Sequence, residues 1–236
     1  MGMNGVGADA VHVRLKRTRH RGPLGVSLGK SKITELVDAA GDYLYSFKML
    51  YAHGDYFAIN VSSPNTPGLR KLQDKDALVD IVQKLNSFRD LQQVRKPVLI
   101  KVAPDLTDDA LDEVIAVCTA HQIDGIIATN TTLSREGLTE QQEEVGGLSG
   151  LPLKTRATEV IRYIHQRAPT LPIIGVGGVF TAEDAYEKIK AGARLVQIYT
   201  GFIYGGPRAP SSIVRGLAKL LKRDGFQNIA EAVGGR

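Results

Sequence analysis

Along the chain, short runs of aliphatic and β-branched residues alternate with longer stretches in which apolar positions recur at helical spacing. Short continuous apolar runs suit buried strands, whereas the wider spacing suits helices that lay one face on a core. The pattern predicts six strands, at 25–28, 56–61, 98–102, 125–129, 173–176 and 195–199. It predicts helices at about 34–51, 76–91, 108–121, 154–167, 182–191 and 210–223. Regular strand–helix alternation is the mark of βα units around a parallel sheet. Thr107 ahead of Asp108 and Asp109 offers a helix cap and two first-turn carboxylates, Thr181 with Asp184 approximates a capping box, and Gly192 suits the position after a helix end.

Polar residues sit at the ends of these strands in a way that favours a barrel over an open sheet. Asn60, Lys101, Thr129, Asn130, the Gly177-Gly178 pair and Thr200 fall at or just past strand ends, the rim where β/α barrels place their chemistry. The expectation is an α/β chain forming part of a (β/α)8 TIM barrel, with about six βα units, strands three to eight, present. On this reading residues 1–236 are a single barrel domain that is N-terminally incomplete, because two further strands are needed for closure.

Composition narrows the field. With 236 residues, 43% apolar and 23% charged, the chain supports one sizeable core and shows no disordered tract. Its longest apolar runs, such as 98–102 and 123–128, fall far short of the roughly 20 residues that a membrane span needs. Cys118 lies in an amphipathic helical pattern and reads as a small buried hydrophobe, so no metal site is expected and a reducing compartment is favoured. Net charge is +5, with much of the excess in the run Arg14-Leu-Lys16-Arg17-Thr-Arg19-His20-Arg21. No aromatic residue interleaves with that run, so it reads as a solvated helix end and no nucleic-acid partner is expected.

Four segments carry candidate chemistry. Residues 58–70, Ala-Ile-Asn60-Val-Ser62-Ser63-Pro-Asn65-Thr66-Pro-Gly-Leu-Arg70, run off a strand into a loop crowded with short hydrogen-bonding side chains. A turn accounts for Pro, Asn, Thr and Gly but not for two Asn around a double Ser, which suit the amides and carboxylate of a small planar ring. Ile100-Lys101-Val102 ends an apolar strand on a lysine, which must snorkel or find an anionic partner. Thr129-Asn130-Thr131-Thr132 ends the next strand and precedes a glycine-containing loop with Gly146, Gly147 and Gly150. Gly175-Val-Gly177-Gly178 followed by a capped helix has the form of an anion site, though its glycine spacing is not that of a dinucleotide fold.

Residues 58–70 closely resemble the signature of dihydroorotate dehydrogenases, and serine rather than cysteine at position 63 resembles the quinone-dependent class. The resemblance covers nearly the whole chain. It implies flavin mononucleotide (FMN) as cofactor, dihydroorotate and orotate as substrate and product, quinone as electron acceptor, and pyrimidine biosynthesis as the setting. Ser63 becomes the catalytic base, with Thr66 relaying its proton. Asn60, Asn65, Asn130 and Thr131 become substrate contacts. Ser27, Asn60, Lys101, Thr129, Gly150, Gly178, Tyr199 and Thr200 become FMN contacts, the last three around the phosphate.

The resemblance further implies a peripheral enzyme on the cytoplasmic side of the inner membrane, with the quinone site mostly in the absent N-terminal part. Two positions depart from the family pattern: Ser27 stands for a usual asparagine and Met3 for a usual aromatic residue. A non-catalytic remnant with weak flavin binding is the alternative expectation. A different phosphate-binding barrel enzyme would explain the glycine loop but not the Ser63 motif.

Overall fold

A computed structural model describes residues 5–65, 68–136, 138 and 145–235. The chain divides into two compact units, Met1–Lys101 with Asp108–Asp124 and Val102–Thr107 with Gly125–Arg236. The expected Thr66, the loop residues 137 and 139–144 and the start at 1–4 lie outside the described residues.

In the first unit, β1 (Gly25–Leu28), β2 (Tyr56–Asn60) and β3 (Val98–Val102, whose last residue belongs to the second unit) run parallel in chain order. Helices α1 (Ala8–Leu15), α2 (Ala39–Leu50), α3 (Lys75–Arg89) and α4 (Asp108–Ala120) accompany them. Burial explains why the strands read as continuous apolar runs: Phe57, Ile59, Val98 and Ile100 are all fully buried. Phe47 on α2 meets Phe57 edge-to-face, ring centroids 4.7 Å apart, and Tyr51 and Phe88 complete the aromatic cluster.

Fully buried Arg89 closes α3, donating to the Asp124 carboxylate and to the Gln122 carbonyl at 2.9 Å. Asp124 also accepts from the Val98 amide at 2.8 Å, so one carboxylate ties the end of α3 to the start of β3.

In the second unit, β4 (Gly125–Ala128), β5 (Ile173–Val176) and β6 (Leu195–Gln197) are parallel in chain order. The unit also holds α5 (Lys154–Arg167), α6 (Ala182–Lys190), α7 (Thr200–Gly205), α8 (Ala209–Arg223) and α9 (Ile229–Ala232). Tyr186 and Ile189 of α6 pack with Leu220 of α8 and Ala232 of α9. The Thr181–Asp184 capping box is formed in both directions, and Gly192 follows α6 with its amide bonded to the Ile189 carbonyl.

The expected helix at 34–51 begins later. A 3-10 turn at Leu36–Asp38 leads into α2 at Ala39. Ser31 gives both its amide and its hydroxyl to Asp42, and Lys30 donates to the carbonyls of Ser31 and Thr34, so side chains occupy the groups that a longer helix would pair. The last strand ends at Gln197, and Tyr199 is the N-cap of α7. Among the described residues no helix is long and apolar enough to cross a membrane.

Candidate active site

In the first unit the groups of interest gather where β2 and β3 end. Asn60 pairs in register with Lys101, and its side chain is buried. The Asn60 carbonyl accepts from the Tyr43 hydroxyl at 2.9 Å, and that phenol is fully buried, which raises its pKa. Ser62 and Ser63 follow, both buried. Ser62 Oγ donates to the Lys101 carbonyl at 2.6 Å and lies 3.5 Å from Asn60 Oδ1.

Ser63 Oγ instead accepts from the Asn65 amide at 3.3 Å, and its own proton is committed to no described residue. A donor aimed at that oxygen favours the negative charge that develops when the hydroxyl gives up its proton. Arg70 Nε donates to the Ser62 carbonyl at 3.2 Å, anchoring the loop from the 3-10 turn Leu69–Gln73.

The Lys101 ammonium is largely buried with no partner among the described residues, and burial alone lowers its pKa. A cation so placed is costly unless an anionic group comes to it. Asn65 is half-buried near the serines, whereas Ser27 on β1 is exposed.

In the second unit, main chain does more of the work. The Thr129 amide donates to the Val176 carbonyl and its hydroxyl to the Asn130 carbonyl, each at 2.9 Å. The Asn130 amide donates to the Val102 carbonyl at 2.8 Å, while Asn130 Oδ1 accepts from the Thr131 amide at 2.8 Å. Asp105 pins the following loop, accepting from the Thr132 hydroxyl and, at 3.1 Å, from the Leu133 amide.

Gly150, at φ +87°, would place a Cβ 3.1 Å from the Thr200 methyl and 3.8 Å from the Phe180 ring. Thr200 donates to the Ser149 hydroxyl at 3.0 Å, and a Cβ on Gly201 would meet the Val179 carbonyl. Residues 149–150, 179–180 and 200–201 therefore converge. Gly178, at φ +67°, would place a Cβ 2.4 Å from Lys154 Cβ and 2.6 Å from its Cα, so close packing against α5 demands glycine there too. Lys154 itself is held by Asp184 at 2.6 Å and Glu187 at 3.1 Å. Tyr199 is exposed beside this cradle.

Each unit carries groups that would suit part of a flavin nucleotide. The first offers a largely buried ammonium, without a partner among the described residues, for an electron-rich ring edge. The second offers hydroxyls and closely approaching main chain at glycine turns, the donor set of a phosphate site. Arg70, Tyr43, Asp105 and Ser149 had no role on sequence grounds, and Ser62 had one only as half of the double serine. Ser62 and Arg70 stood inside the quoted motif, but nothing in it showed which carbonyls they reach.

A profile of the family described as dihydroorotate dehydrogenase matches residues 1–221. The chain is 52% identical to "Dihydroorotate dehydrogenase (quinone)" of Gloeobacter violaceus, over 99% of this chain and 66% of that protein. It is 50% identical to the protein of the same name from Nostoc punctiforme, over 99% of this chain and 65% of that one. For the namesake from Thermus thermophilus, identity is 49% over 98% of this chain and 66% of that one. The chain thus spans just under two thirds of these relatives' length.

Among solved structures it resembles Eimeria tenella DHODH in complex with ferulenol at TM-score 0.91 and 34% identity, over 98% of this chain and 69% of that one. The ligand-free type of the same protein also gives TM-score 0.91 and 34% identity, over 99% and 72%. The fold is accordingly a partial α/β TIM barrel. With its profile match and its relatives of the quinone class, the chain belongs to the dihydroorotate dehydrogenase family.

Proposed function

We propose that this chain provides the substrate and flavin groups of a quinone-dependent dihydroorotate dehydrogenase, oxidising dihydroorotate to orotate in pyrimidine biosynthesis. The observation that carries the reading is the pairing at the ends of β2 and β3: Ser63, its hydroxyl proton committed to no described residue, follows three residues after Asn60, and Lys101 lies in register with Asn60 with no anionic partner among the described residues. The relatives' names point the same way.

In this mechanism Ser63 takes the C5 proton of dihydroorotate. The Asn65 amide stabilises the serine oxygen as its own proton leaves, and Thr66 is assigned the relay of that proton. Asn60, Asn65, Asn130 and Thr131 orient the ring and its carboxylate. When bound, FMN supplies a two-electron acceptor for the hydride from C6, and the electrons pass on to quinone. Lys101 provides positive charge where that acceptor becomes electron-rich. Gly150, Gly178, Tyr199 and Thr200 hold the phosphate, with Thr129 and Ser27 assigned to the rest of the cofactor. Quinone supply makes the protein peripheral at a membrane surface, on the cytoplasmic side.

The test is anaerobic mixing of the FMN-loaded protein with dihydroorotate while flavin absorbance is followed. Wild type bleaches, and Ser63→Ala keeps its yellow colour and orotate binding while bleaching about a hundredfold or more slowly. Reoxidation by a soluble quinone and not by fumarate fixes the class. A protein that takes up no flavin would instead be a non-catalytic member of the family.

A further inference from the structure

The two adjacent serines are engaged so differently that the motif contains a second functional element. We infer that Ser62 is a positioning residue whose hydroxyl sets the base loop against the strand that bears Lys101. This rests on the assignment of Ser63 as the base.

A serine hydroxyl has one proton to give. That of Ser62 goes to the Lys101 carbonyl at 2.6 Å, and the residue is fully buried, so it has no proton to exchange with a substrate. The main chain of Ser62 is held from the opposite side, its carbonyl accepting from Arg70 Nε at 3.2 Å. Ser62 is therefore tied by its side chain to β3 and by its main chain to the 3-10 turn Leu69–Gln73 at the motif's end.

Ser63 is the next residue, so its backbone direction is set by these two ties, and Lys101 is the residue whose carbonyl receives one of them. The O–H···O bond thus ties the residue before the base to the main chain of the residue that bears the ammonium, and on the proposed function both groups must meet the same reacting system. Misplacement of a reacting group by about 1 Å costs on the order of a hundredfold in rate. Removing the tie therefore costs turnover more than it costs affinity.

The experiment compares wild type, Ser62→Ala, Ser63→Ala and Arg70→Lys in two measurements. The first is amide hydrogen exchange of the 58–65 and 98–103 segments, which requires no activity. Ser62→Ala should exchange about tenfold faster there, Ser63→Ala at the wild-type rate except at Asn65, whose amide loses its acceptor, and Arg70→Lys in between. The second is steady-state turnover with dihydroorotate and quinone. Ser62→Ala should lose roughly ten- to a hundredfold in kcat with KM within about twofold, and Arg70→Lys should lose less.

Wild-type exchange in Ser62→Ala would overturn the inference. So would a kcat loss that only follows the unfolded fraction in a thermal melt, since Ser62 would then be merely structural. The Arg70→Lys variant carries the same comparison where Ser62→Ala folds poorly. The predicted exchange pattern in a wild-type protein that dihydroorotate fails to bleach would uphold the tie and overturn the functional reading instead.

Discussion

The strand ends of the first unit and those of the second are built from different materials. In the first, side chains do the work: Asn60, Ser62, Ser63 and Lys101 are buried or largely buried, and their hydroxyl, amide and ammonium groups are individually placed. In the second, glycine and main chain dominate: Gly150 and Gly178 sit at positive φ, and Thr129 and Asn130 are fixed through their own amides. On the proposed function, the contrast follows from what each would bind. A small ring undergoing proton transfer needs a few groups of tuned basicity, each placed to a fraction of an ångström. A phosphate needs several hydrogen-bond donors at close range, which the backbone supplies without side-chain entropy.

The sharpest way to break this contrast is to add one carbon to the second unit. Gly178→Ala would force a non-glycine residue into the left-handed region and drive its Cβ against the backbone and Cβ of Lys154. Strain and overlap together should cost about 3 kcal/mol of stability, with FMN affinity falling alongside. Chemical denaturation with and without FMN measures both. An alanine variant as stable as wild type would show that α5 yields easily and that the cradle is not rigid.

Next in size is a change that leaves shape nearly alone and removes charge from the first unit. Lys101→Met should slow flavin reduction by about tenfold or more, because positive charge beside the ring is lost. Without flavin the variant should melt no lower than wild type, since the deleted ammonium is buried with no partner among the described residues. A marked fall in the flavin-free melting temperature would mean that Lys101 has a structural partner.

The same contrast explains what was legible in the chain before its structure. Strands β2 to β5 were locatable because parallel strands buried on both faces read as unbroken apolar runs, while the more exposed β1 and β6 were found from the regular strand–helix alternation. Short helices were not. Six-residue α7 is flanked by glycine and exposes Phe202, Ile203 and Tyr204, and α1 buries no residue, so neither shows one clean apolar stripe. At the site, residue types in the Ser63 motif were informative, but their division of labour was not. The Ser62 hydroxyl reaches a carbonyl 39 positions away, and Asp105 reaches Thr132 across 27. Such pairings exist only once neighbouring strands are in register.

A smaller effect separates buried cations by the company they keep. Arg89 of the first unit is fully buried against the Asp124 carboxylate, whereas Lys188 of α6 is fully buried against a hydroxyl and a carbonyl, Thr158 Oγ1 at 3.1 Å and Lys154 O at 3.5 Å. Burial brings the Lys188 pKa down from 10.5 to about 8, with Glu187 opposing that shift and Lys154 adding to it.

The folded state therefore resists protonating Lys188. As pH falls from 10.5 towards 8, the unfolded chain gains a proton that the folded chain lacks, so stability declines through that window and levels off below it. Lys188→Met removes the penalty. Thr158 is not orphaned by the change, because its hydroxyl donates to the Lys154 carbonyl at 3.0 Å. Replacing a poorly compensated buried charge with an apolar chain of similar length is commonly neutral or stabilising. The expected outcome at pH 7 is a variant equal to wild type or more stable by about 1 kcal/mol, with the difference shrinking by pH 10. Denaturant midpoints at the two pH values decide the matter. A methionine variant clearly less stable than wild type at pH 7 would show that Lys188 is held by charge as Arg89 is.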